Sequence, residues 1–328
     1  MVPDVWLITG GAGYIGSHIS DLFLAREIPI VIYDSLLTGT DSRVDYLNMK
    51  HNLRIPFIRA DIRDLDCLRS TIIANKVTGI IHTAALKSVS ESLKMPDLYF
   101  EINYKGTAGI IGVMQELKIR KLIFSSTAAV YGDPNSLLPC KESDLPSPIS
   151  PDGKSKLSAE ELVTNFNTDV ENLGVSLRFF NVIGRASSNL TDNSIENLVP
   201  IVLSKLMNNE SPEIYGTDYP TKDGTCVRDY VDVRDIARAH LEISIKSTWV
   251  PPVLNIGTGI GISVDSIVNL IIARSNRVGI KTIKRGRRRG DPAFLCAEIG
   301  LASRELGFTT VYDLASSIDS LHLGQNLF

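Results

Sequence analysis

Short runs of apolar, largely β-branched residues alternate with helix-length segments along the first half of the chain. The runs are apolar on consecutive positions, which is typical of parallel strands covered by helices on both faces. An α/β fold with a Rossmann-type, doubly wound parallel sheet is therefore predicted. The predicted strands are V-W-L-I-T from Val5, I-V-I-Y from Ile30, P-F-I-R from Pro56, G-I-I-H-T from Gly79, K-L-I-F-S from Lys121 and V-S-L-R from Val175.

The alternation loosens after Arg178. Irregular stretches rich in Asn, Ser, Pro and Gly, at 186–197 and 215–225, separate shorter elements. Two units are therefore predicted, with elements that are free to interleave. Residues 1–178 would form the sheet domain, and residues 179–328 a smaller, mixed α/β substrate domain.

Composition excludes several classes of protein. The 34 basic and 37 acidic residues give a net charge of -3, which provides no bulk attraction to nucleic acid or to a membrane surface. The start of the chain has no basic, apolar leader pattern and no apolar run approaches the length of a membrane span, so a soluble cytoplasmic protein is expected. Cys67, Cys140, Cys226 and Cys296 form no C-x-x-C pair, which disfavours a metal site and a disulfide framework.

A glycine-rich turn joins the first predicted strand to a helix. It reads T-G-G-A-G-Y-I-G, and Gly10, Gly13 and Gly16 would let a pyrophosphate approach the backbone at the helix N-terminus. Asp34 ends the second strand roughly 20 residues further on, where a ribose-binding acid is expected. Its carboxylate would repel a 2′-phosphate, so NAD is predicted rather than NADP.

The hexapeptide P-D-G-K-S-K from Pro151 opens a second informative helix, predicted over 154–171. Residues four apart share a helix face, so Asp152 and Lys156 are expected to point the same way. The apolar positions at helical spacing are Leu157, Leu162, Val163 and Phe166.

Together with D-I-R from Asp61, H-T-A-A-L-K from His82 and S-S-T-A-A-V-Y-G from Ser125, these motifs resemble the UDP-glucose 4-epimerase family of extended short-chain dehydrogenases/reductases. The resemblance covers almost the whole chain and implies a tightly bound NAD. The residues that it implies for the cofactor are Gly10, Gly13, Tyr14, Ile15, Gly16, Asp34, Asp61, Ile62, Ala84, Ala85, Lys87, Asn103, Ser125, Lys156 and Phe179.

Motifs of the second half resemble the sugar-nucleotide site of the same family. They are L-R-F-F-N from Leu177, N-L-V-P from Asn197, Y-G-T-D-Y-P-T-K-D-G-T from Tyr215, V-R-D-Y from Val227 and R-R-R-G-D from Arg287. The resemblance implies a UDP-sugar held by Lys87, Thr127, Asn181, Asn197, Leu198, Tyr215, Arg228, Tyr230, Arg288 and Asp291. A surface salt bridge is the alternative for Arg228. By composition the basic run is also a candidate nucleic-acid patch, which the negative net charge does not favour.

Position 152 departs from the family, whose catalytic tyrosine stands there. In the family the tyrosine phenol exchanges a proton with the sugar C4 hydroxyl, while hydride transfer to NAD and back takes the sugar through a 4-keto intermediate. Thr127 matches the family's serine or threonine that shares this hydroxyl. Lys156 matches the lysine that holds the nicotinamide ribose. Asp152 is expected to be a weak base, with an ordinary pKa of about 3.9 lowered further by an adjacent ammonium. It is also shorter than tyrosine. Capping of the helix and a salt bridge to Lys156 are its alternative roles.

Three hypotheses for function follow. The first is a working UDP-hexose 4-epimerase in which Thr127, a water or Asp152 moves the proton. The second is a catalytically weak protein that binds NAD and a UDP-sugar, and the third is an ordinary epimerase with an engineered or accidental change from tyrosine. A 4,6-dehydratase is disfavoured, because that relative has an acidic pair where Ala128 and Ala129 follow Thr127.

The sequence leaves the identity of the hexose open and gives an expectation for the oligomeric state. Leu295 aligns with the family position that limits bulk at the sugar C2 substituent, so N-acetylated and uronic sugars stay open. Helices predicted over 98–117 and 154–171 occupy the places where the family pairs its subunits, so a homodimer is expected. The alternative for Ile110, Ile111 and Met114 is packing on the sheet.

Overall fold

A seven-stranded parallel sheet forms the centre of the computed structural model, which describes residues 4–134, 136–194, 196–246, 249–275, 277, 279–288 and 290–321. Each of the six predicted strands is present. They are β1 (Trp6–Thr9), β2 (Ile30–Asp34), β3 (Phe57–Arg59), β4 (Gly79–His82), β5 (Lys121–Thr127) and β6 (Leu173–Phe179).

The described residues between these strands form the α-helices α1 (Tyr14–Ala25), α2 (Asp41–His51), α3 (Leu65–Asn75), α4 (Val89–Ser92), α5 (Pro96–Tyr99), α6 (Gly106–Leu117) and α7 (Pro151–Phe166). A π-helical turn, Phe100–Lys105, joins α5 to α6, and the three together account for the helix predicted over 98–117. Helix α7 begins three residues before its predicted start because Ser150 caps it and Pro151 occupies its first position.

The second half of the chain contributes shorter elements. Its strands are β7 (Asn181–Ile183), β8 (Glu213–Tyr215), β9 (Val227–Asp232), β10 (Val253–Ile256), β11 (Gly261–Ser263), β12 (Ile283–Arg285) and β13 (Phe294–Leu295). Its helices are α8 (Leu198–Met207), α9 (Val233–Ser244), α10 (Val264–Arg274), α11 (Gly300–Leu306) and α12 (Leu314–Asp319).

The large sheet contains one strand from the second half. Its order is β10-β6-β5-β4-β1-β2-β3, and β10 pairs in parallel with β6 from Val253 opposite Ser176 to Ile256 opposite Phe179. Helix α9 packs against α1 on one face of this sheet. Elements from both sides of residue 178 therefore interleave, and the division into 1–178 and 179–328 stays a prediction.

Apolar residues fill both faces of the large sheet. One cluster includes Ile8 and Ile32 with Phe23 of α1, and the other includes Leu7 and Phe124 with residues of α6 and α7. The doubly wound α/β architecture is thereby confirmed. Ile110, Ile111 and Met114 of α6 lie in the second cluster, so these side chains pack on the sheet. No helix within the described ranges is long and apolar enough to cross a membrane.

Candidate active site

The carboxyl ends of the central strands open onto a cavity of about 590 Å³. In a doubly wound sheet this edge is where ligands bind, at the point where the strand order reverses. The cavity brings together most of the predicted site residues from both halves of the chain. These are Tyr14, Ile15, Ala85, Lys87, Ser125, Thr127, Asp152, Lys156, Phe179, Asn181, Asn197, Leu198, Tyr215, Arg228, Tyr230, Arg288 and Asp291, with Leu295 beside them.

The glycine-rich turn is shaped for close approach of a ligand. Gly10 has a φ of +70°, and a Cβ there would lie 2.7 Å from the Ala84 nitrogen. A Cβ on Gly16 would lie 2.2 Å from the Gly10 oxygen, so α1 packs on the turn too closely for a side chain. Gly13 caps α1 without a side-chain hydrogen bond. The first turn of α1 is thus shaped to receive an anion such as a pyrophosphate.

Asp34 stands beside this turn at the end of β2. Its carboxylate accepts hydrogen bonds from the backbone nitrogens of Ala12 at 3.0 Å and Leu36 at 2.8 Å. Burial raises the pKa of Asp34, and these hydrogen bonds and the charge of Arg43 oppose that shift. Arg43, which the sequence motifs did not single out, ties the turn to the second half through Ala12 O (3.0 Å) and Thr191 O (2.8 Å).

Eight of the predicted cofactor residues do not line the cavity itself: they are Gly10, Gly13, Gly16 and Asp34, which form or flank the glycine-rich turn, and Asp61, Ile62, Ala84 and Asn103. Asp61 pairs with Arg63, and Ile62 is buried in the core. Asn103 is buried and exchanges two hydrogen bonds with the Leu86 backbone while it donates a third to Ser155 Oγ at 3.0 Å. Asn103 therefore holds the loop that carries Lys87 against α7.

Asp152 and Lys156 share a face of α7 and both line the cavity, as their spacing predicts. Asp152 is 4% exposed, and its Oδ1 has no hydrogen-bond partner among the residues that the structure describes. Lys156 Nζ donates instead to the Ser125 oxygen at 2.8 Å and lies 4.8 Å from the centre of the Phe124 ring. The helix is capped by Ser150, whose Oγ accepts from the Gly153 nitrogen. The capping role for Asp152 is thus wrong, and no ion pair between Asp152 and Lys156 occurs in the described part of the chain.

The expectation of a low pKa for Asp152 is also wrong. Burial raises the pKa of Asp152 to about 6, and the opposing charge of Lys156 does not cancel this effect. Burial also lowers the pKa of Lys156 to about 8, against the charges of Asp152 and Glu160. Between these values the cavity wall carries both a carboxylate and an ammonium.

Asp152→Asn is expected to stabilise the protein at alkaline pH. Because the folded-state pKa is raised, the protonated carboxyl favours folding below about pH 3.9, and that stability is lost as pH rises through about 6. Each pKa unit is worth 1.36 kcal/mol, so the gain at pH 8 should be about 1–3 kcal/mol. Thermal unfolding at pH 8 and pH 4.5 measures it. An equal Tm difference at both pH values would contradict the role of the buried charge.

A buried ion pair that the motifs did not identify lies one helical turn beyond Lys156. Glu160 accepts from Arg178 of β6, with Oε2 2.7 Å from Nη2, and both side chains are 4% exposed. Ser126 Oγ also donates to Glu160, and the Arg178 guanidinium lies 4.8 Å from the centre of the Tyr131 ring. Helical spacing places Glu160 on the same face as Lys156, but it does not indicate that Arg178 of β6 is its partner.

Thr127 and His82 already form hydrogen bonds within the protein. Thr127 Oγ1 accepts from the Ala129 nitrogen at 3.1 Å, so its hydroxyl proton is available for donation. His82 lies between the hydroxyls of Thr9 (2.7 Å) and Thr107 (3.0 Å). Burial lowers the pKa of His82 to about 3, with a smaller contribution from Lys156, so the imidazole is neutral and structural at ordinary pH.

Arg228 and Tyr230 of β9 lie in another part of the cavity wall. Arg228 Nη1 donates to the oxygens of Val227 (2.9 Å) and Pro292 (2.8 Å), while Nη2 lies 3.8 Å from Asp291 Oδ1. The salt bridge with an aspartate that was the alternative for Arg228 is therefore present, although the Arg228 side chain is only 11% exposed while that of Asp291 is 41% exposed. The Tyr230 hydroxyl is buried and has no hydrogen-bond partner.

The basic run from Lys284 begins in β12, and its cations have different neighbours. Lys284, Arg285 and Arg287 pair with acidic side chains, Asp265, Glu213 and Asp218 respectively. Arg288 lines the cavity and lies 3.9 Å from the centre of the Tyr215 ring. Arg289 lies outside the described residues. Three of the described cations of this segment are therefore neutralised by neighbouring carboxylates.

Comparison with known proteins extends the resemblance. Residues 6–257 match the model of the NAD dependent epimerase/dehydratase family. The chain is 38% identical over 320 residues to a UDP-glucose 4-epimerase of Lacticaseibacillus casei, with 93% of this chain and 92% of the relative covered.

Two solved structures are also similar. A UDP-glucose 4-epimerase of Stenotrophomonas maltophila, with bound NAD and formylated UDP-arabinopyranose, superposes with a TM-score of 0.89 at 34% identity and coverages of 98% and 97%. The UDP-glucose 4-epimerase of Bifidobacterium longum, in complex with NAD+ and UDP, gives 0.90 at 30% identity, with 97% of each chain covered.

Proposed function

The chain belongs to the UDP-glucose 4-epimerase family, within the NAD dependent epimerase/dehydratase family, and from this premise we propose that it is an NAD-dependent UDP-hexose 4-epimerase. Its reaction interconverts UDP-glucose and UDP-galactose through a transient 4-keto sugar. One observation carries the proposal: a single cavity is lined by the first turn of α1, where a dinucleotide would bind, by groups suited to proton transfer and by arginines suited to phosphate.

NAD fits the residues present. The close-packed glycine turn, the uncapped first turn of α1 and the carboxylate of Asp34 match a pyrophosphate and a free ribose 2′-hydroxyl. Held by the glycine turn and Asp34, NAD would supply the hydride acceptor for oxidation of the sugar carbon and, once reduced, the hydride donor for its re-reduction from the opposite side. The chain's own side chains orient the two ligands: Lys156 supplies a buried ammonium at the end of β5, and Thr127 has a hydroxyl proton to donate to the sugar.

Elimination chemistry has no support in the same wall of the cavity. Ala128 and Ala129 follow Thr127 and line the cavity without any acid or base of their own. A catalytically weak protein that binds NAD and a UDP-sugar is the second candidate, and the absence of a tyrosine at position 152 is what favours it. A cytoplasmic homodimer completes the proposal and rests on the resemblance of α6 and α7 to the helices that the family pairs.

Turnover and ligand binding test the proposal together. The purified protein is expected to interconvert UDP-glucose and UDP-galactose with NAD retained, and UDP-N-acetylglucosamine assayed in parallel tests tolerance at the sugar C2 substituent. Calorimetric binding of UDP-glucose without turnover would select the second candidate. Absence of both binding and turnover would contradict the epimerase and the binding protein alike.

Arg288→Ala is expected to raise KM for the UDP-sugar by about tenfold or more, because a charge-assisted contact to a phosphate is lost. Arg287→Ala is the matched control, since Arg287 is one residue away but pairs with Asp218 outside the cavity lining. Steady-state kinetics on both variants measures the difference. Equal KM values would mean that Arg288 does not bind the diphosphate.

A further inference from the structure

The cavity contains several groups that exchange protons in other enzymes, but most of them are poorly suited to accept one here. Thr127 Oγ1 already accepts from the Ala129 nitrogen, and a hydroxyl so placed donates more readily than it accepts. Lys156 Nζ is directed to the Ser125 oxygen and, as an ammonium, has donors but no acceptor. Both residues are therefore suited to orient the sugar hydroxyl, and neither is suited to take its proton.

The phenol and imidazole nearby are also unsuitable. Tyr230 has an unpartnered hydroxyl, but burial raises its pKa, so it stays a neutral donor. Both nitrogens of His82 are engaged by the hydroxyls of Thr9 and Thr107, and His82 does not line the cavity.

Three further carboxylates line the cavity, and each already has a donor or a cation. Glu196 accepts from Ser90 Oγ at 2.7 Å, Glu213 accepts from Tyr215 and Arg285, and Asp291 faces Arg228. Asp152 differs from them because its buried Oδ1 has no donor. A buried carboxylate without a donor is costly to maintain. Such a group is suited to a ligand that brings a donor with it.

We propose that the Asp152 carboxylate is the group that accepts the proton of the reacting sugar hydroxyl and returns it when the hydroxyl re-forms. The assignment rests on the epimerase function proposed above. In this assignment a carboxylate takes the role that the resemblance gives to a tyrosine phenol. Asp152 lies one helical turn from Lys156, on the same face of α7.

The proton step is balanced in both directions. The O–H bond of the sugar breaks and an O–H bond forms on Asp152, while the two electrons and the hydrogen of the sugar carbon are taken by NAD, the oxidant of the proposed reaction. The reverse transfer regenerates the sugar hydroxyl and the Asp152 carboxylate. No net oxidation or proton release occurs over a full cycle.

The ionisable groups around Asp152 determine the pH range in which its proton transfer can be measured. The elements packed against α7 carry ionisable side chains, which are Glu91, Asp97, Tyr99, Glu101, Tyr104, Lys105, Glu116, Lys121, Tyr131 and Arg178. His82 of the neighbouring strand β4 interacts electrostatically with Lys156. Lys156 is the charged group with a resolved effect on Asp152. The pKa of Asp152, about 6, and that of Lys156, about 8, both lie between pH 5 and pH 9.

The pH dependence of kcat/KM for UDP-glucose is the decisive measurement. A base must be ionised, so the wild-type value is expected to rise about tenfold per pH unit below pH 6 and to level off above it. Asp152→Asn should lower kcat by about 10²–10⁴-fold and remove this acid limb. Asp152→Glu should keep the limb, and Asp152→Tyr should move it to higher pH. Tyr230→Phe should keep the limb whatever its rate.

Two controls separate this proposal from the proposed function. Calorimetric binding of UDP-glucose to Asp152→Asn, with NAD content and Tm, shows whether the variant is folded and loaded. Wild-type turnover together with an unchanged rate and acid limb in a loaded Asp152→Asn variant would overturn the role of Asp152 and leave the epimerase function standing. Binding of both ligands with no wild-type turnover from pH 5 to pH 9 would overturn the epimerase activity and this role with it.

Discussion

Glu160→Ala is expected to lower the free energy of unfolding by about 3–5 kcal/mol, because it leaves the Arg178 guanidinium buried without its counter-ion. Ser126 Oγ loses its acceptor in the same variant. For a chain of 328 residues, with an unfolding entropy of about 0.7 kcal/mol/K, the loss corresponds to a fall in Tm of about 4–7 °C. Thermal unfolding with saturating NAD measures it.

A double variant and a surface variant test the cause. Glu160→Met with Arg178→Met removes both charges and should recover much of the lost stability, because a buried pair replaced by apolar groups is often tolerated. Glu116→Ala breaks the exposed pair with Arg69 and should leave Tm almost unchanged. A Glu160→Ala variant as stable as Glu116→Ala would show that the buried pair does not stabilise the fold.

Gly16→Ala is expected to weaken NAD binding. The added Cβ would lie 2.2 Å from the Gly10 oxygen and 2.8 Å from the Gly11 Cα, and both are backbone atoms that cannot rotate away. Overpacking of this kind costs about 1–3 kcal/mol, which corresponds to roughly 5–150-fold in affinity if the turn absorbs the whole shift. The NAD released from denatured protein and the affinity for added NAD measure the effect.

Gly112→Ala is the matched control for this variant. Gly112 is an exposed glycine within α6, and a Cβ there would have no neighbour within 4 Å. Alanine also has the higher helix propensity, so stability should increase by up to about 1 kcal/mol with NAD content unchanged. If Gly16→Ala retained the NAD content of Gly112→Ala, the first turn of α1 would not be the dinucleotide site.

The six strands of the first half could be predicted because each is an apolar run set off by helix-length segments. Strand β10 could not, since V-L-N-I is four residues long and follows two prolines in an irregular stretch. Its place beside β6 depends on tertiary packing, in which α9 lies against α1 and brings the chain back to the sheet edge. The local pattern of apolar residues does not indicate that the chain returns to the sheet edge.

The candidate site shows the same division between local and tertiary information. Helical spacing correctly placed Asp152 and Lys156 on one face, because that is a property of the backbone alone. The direction of the Asp152 pKa shift was predicted wrongly, because the neighbouring cation is visible in the sequence but the extent of burial is not. Glu160 was missed for a related reason, since its partner Arg178 comes from a strand eighteen positions further along.

The pairing of β10 with β6 has a consequence for synthesis of the chain. Proteins are made from the N-terminus, so β6 is translated more than seventy residues before the strand that pairs with its outer edge. Until Ile256 has left the ribosome, the nascent sheet presents an unpaired parallel edge, and such edges recruit other strands. Translation of the second half therefore protects the first half from misassembly as well as completing the cavity.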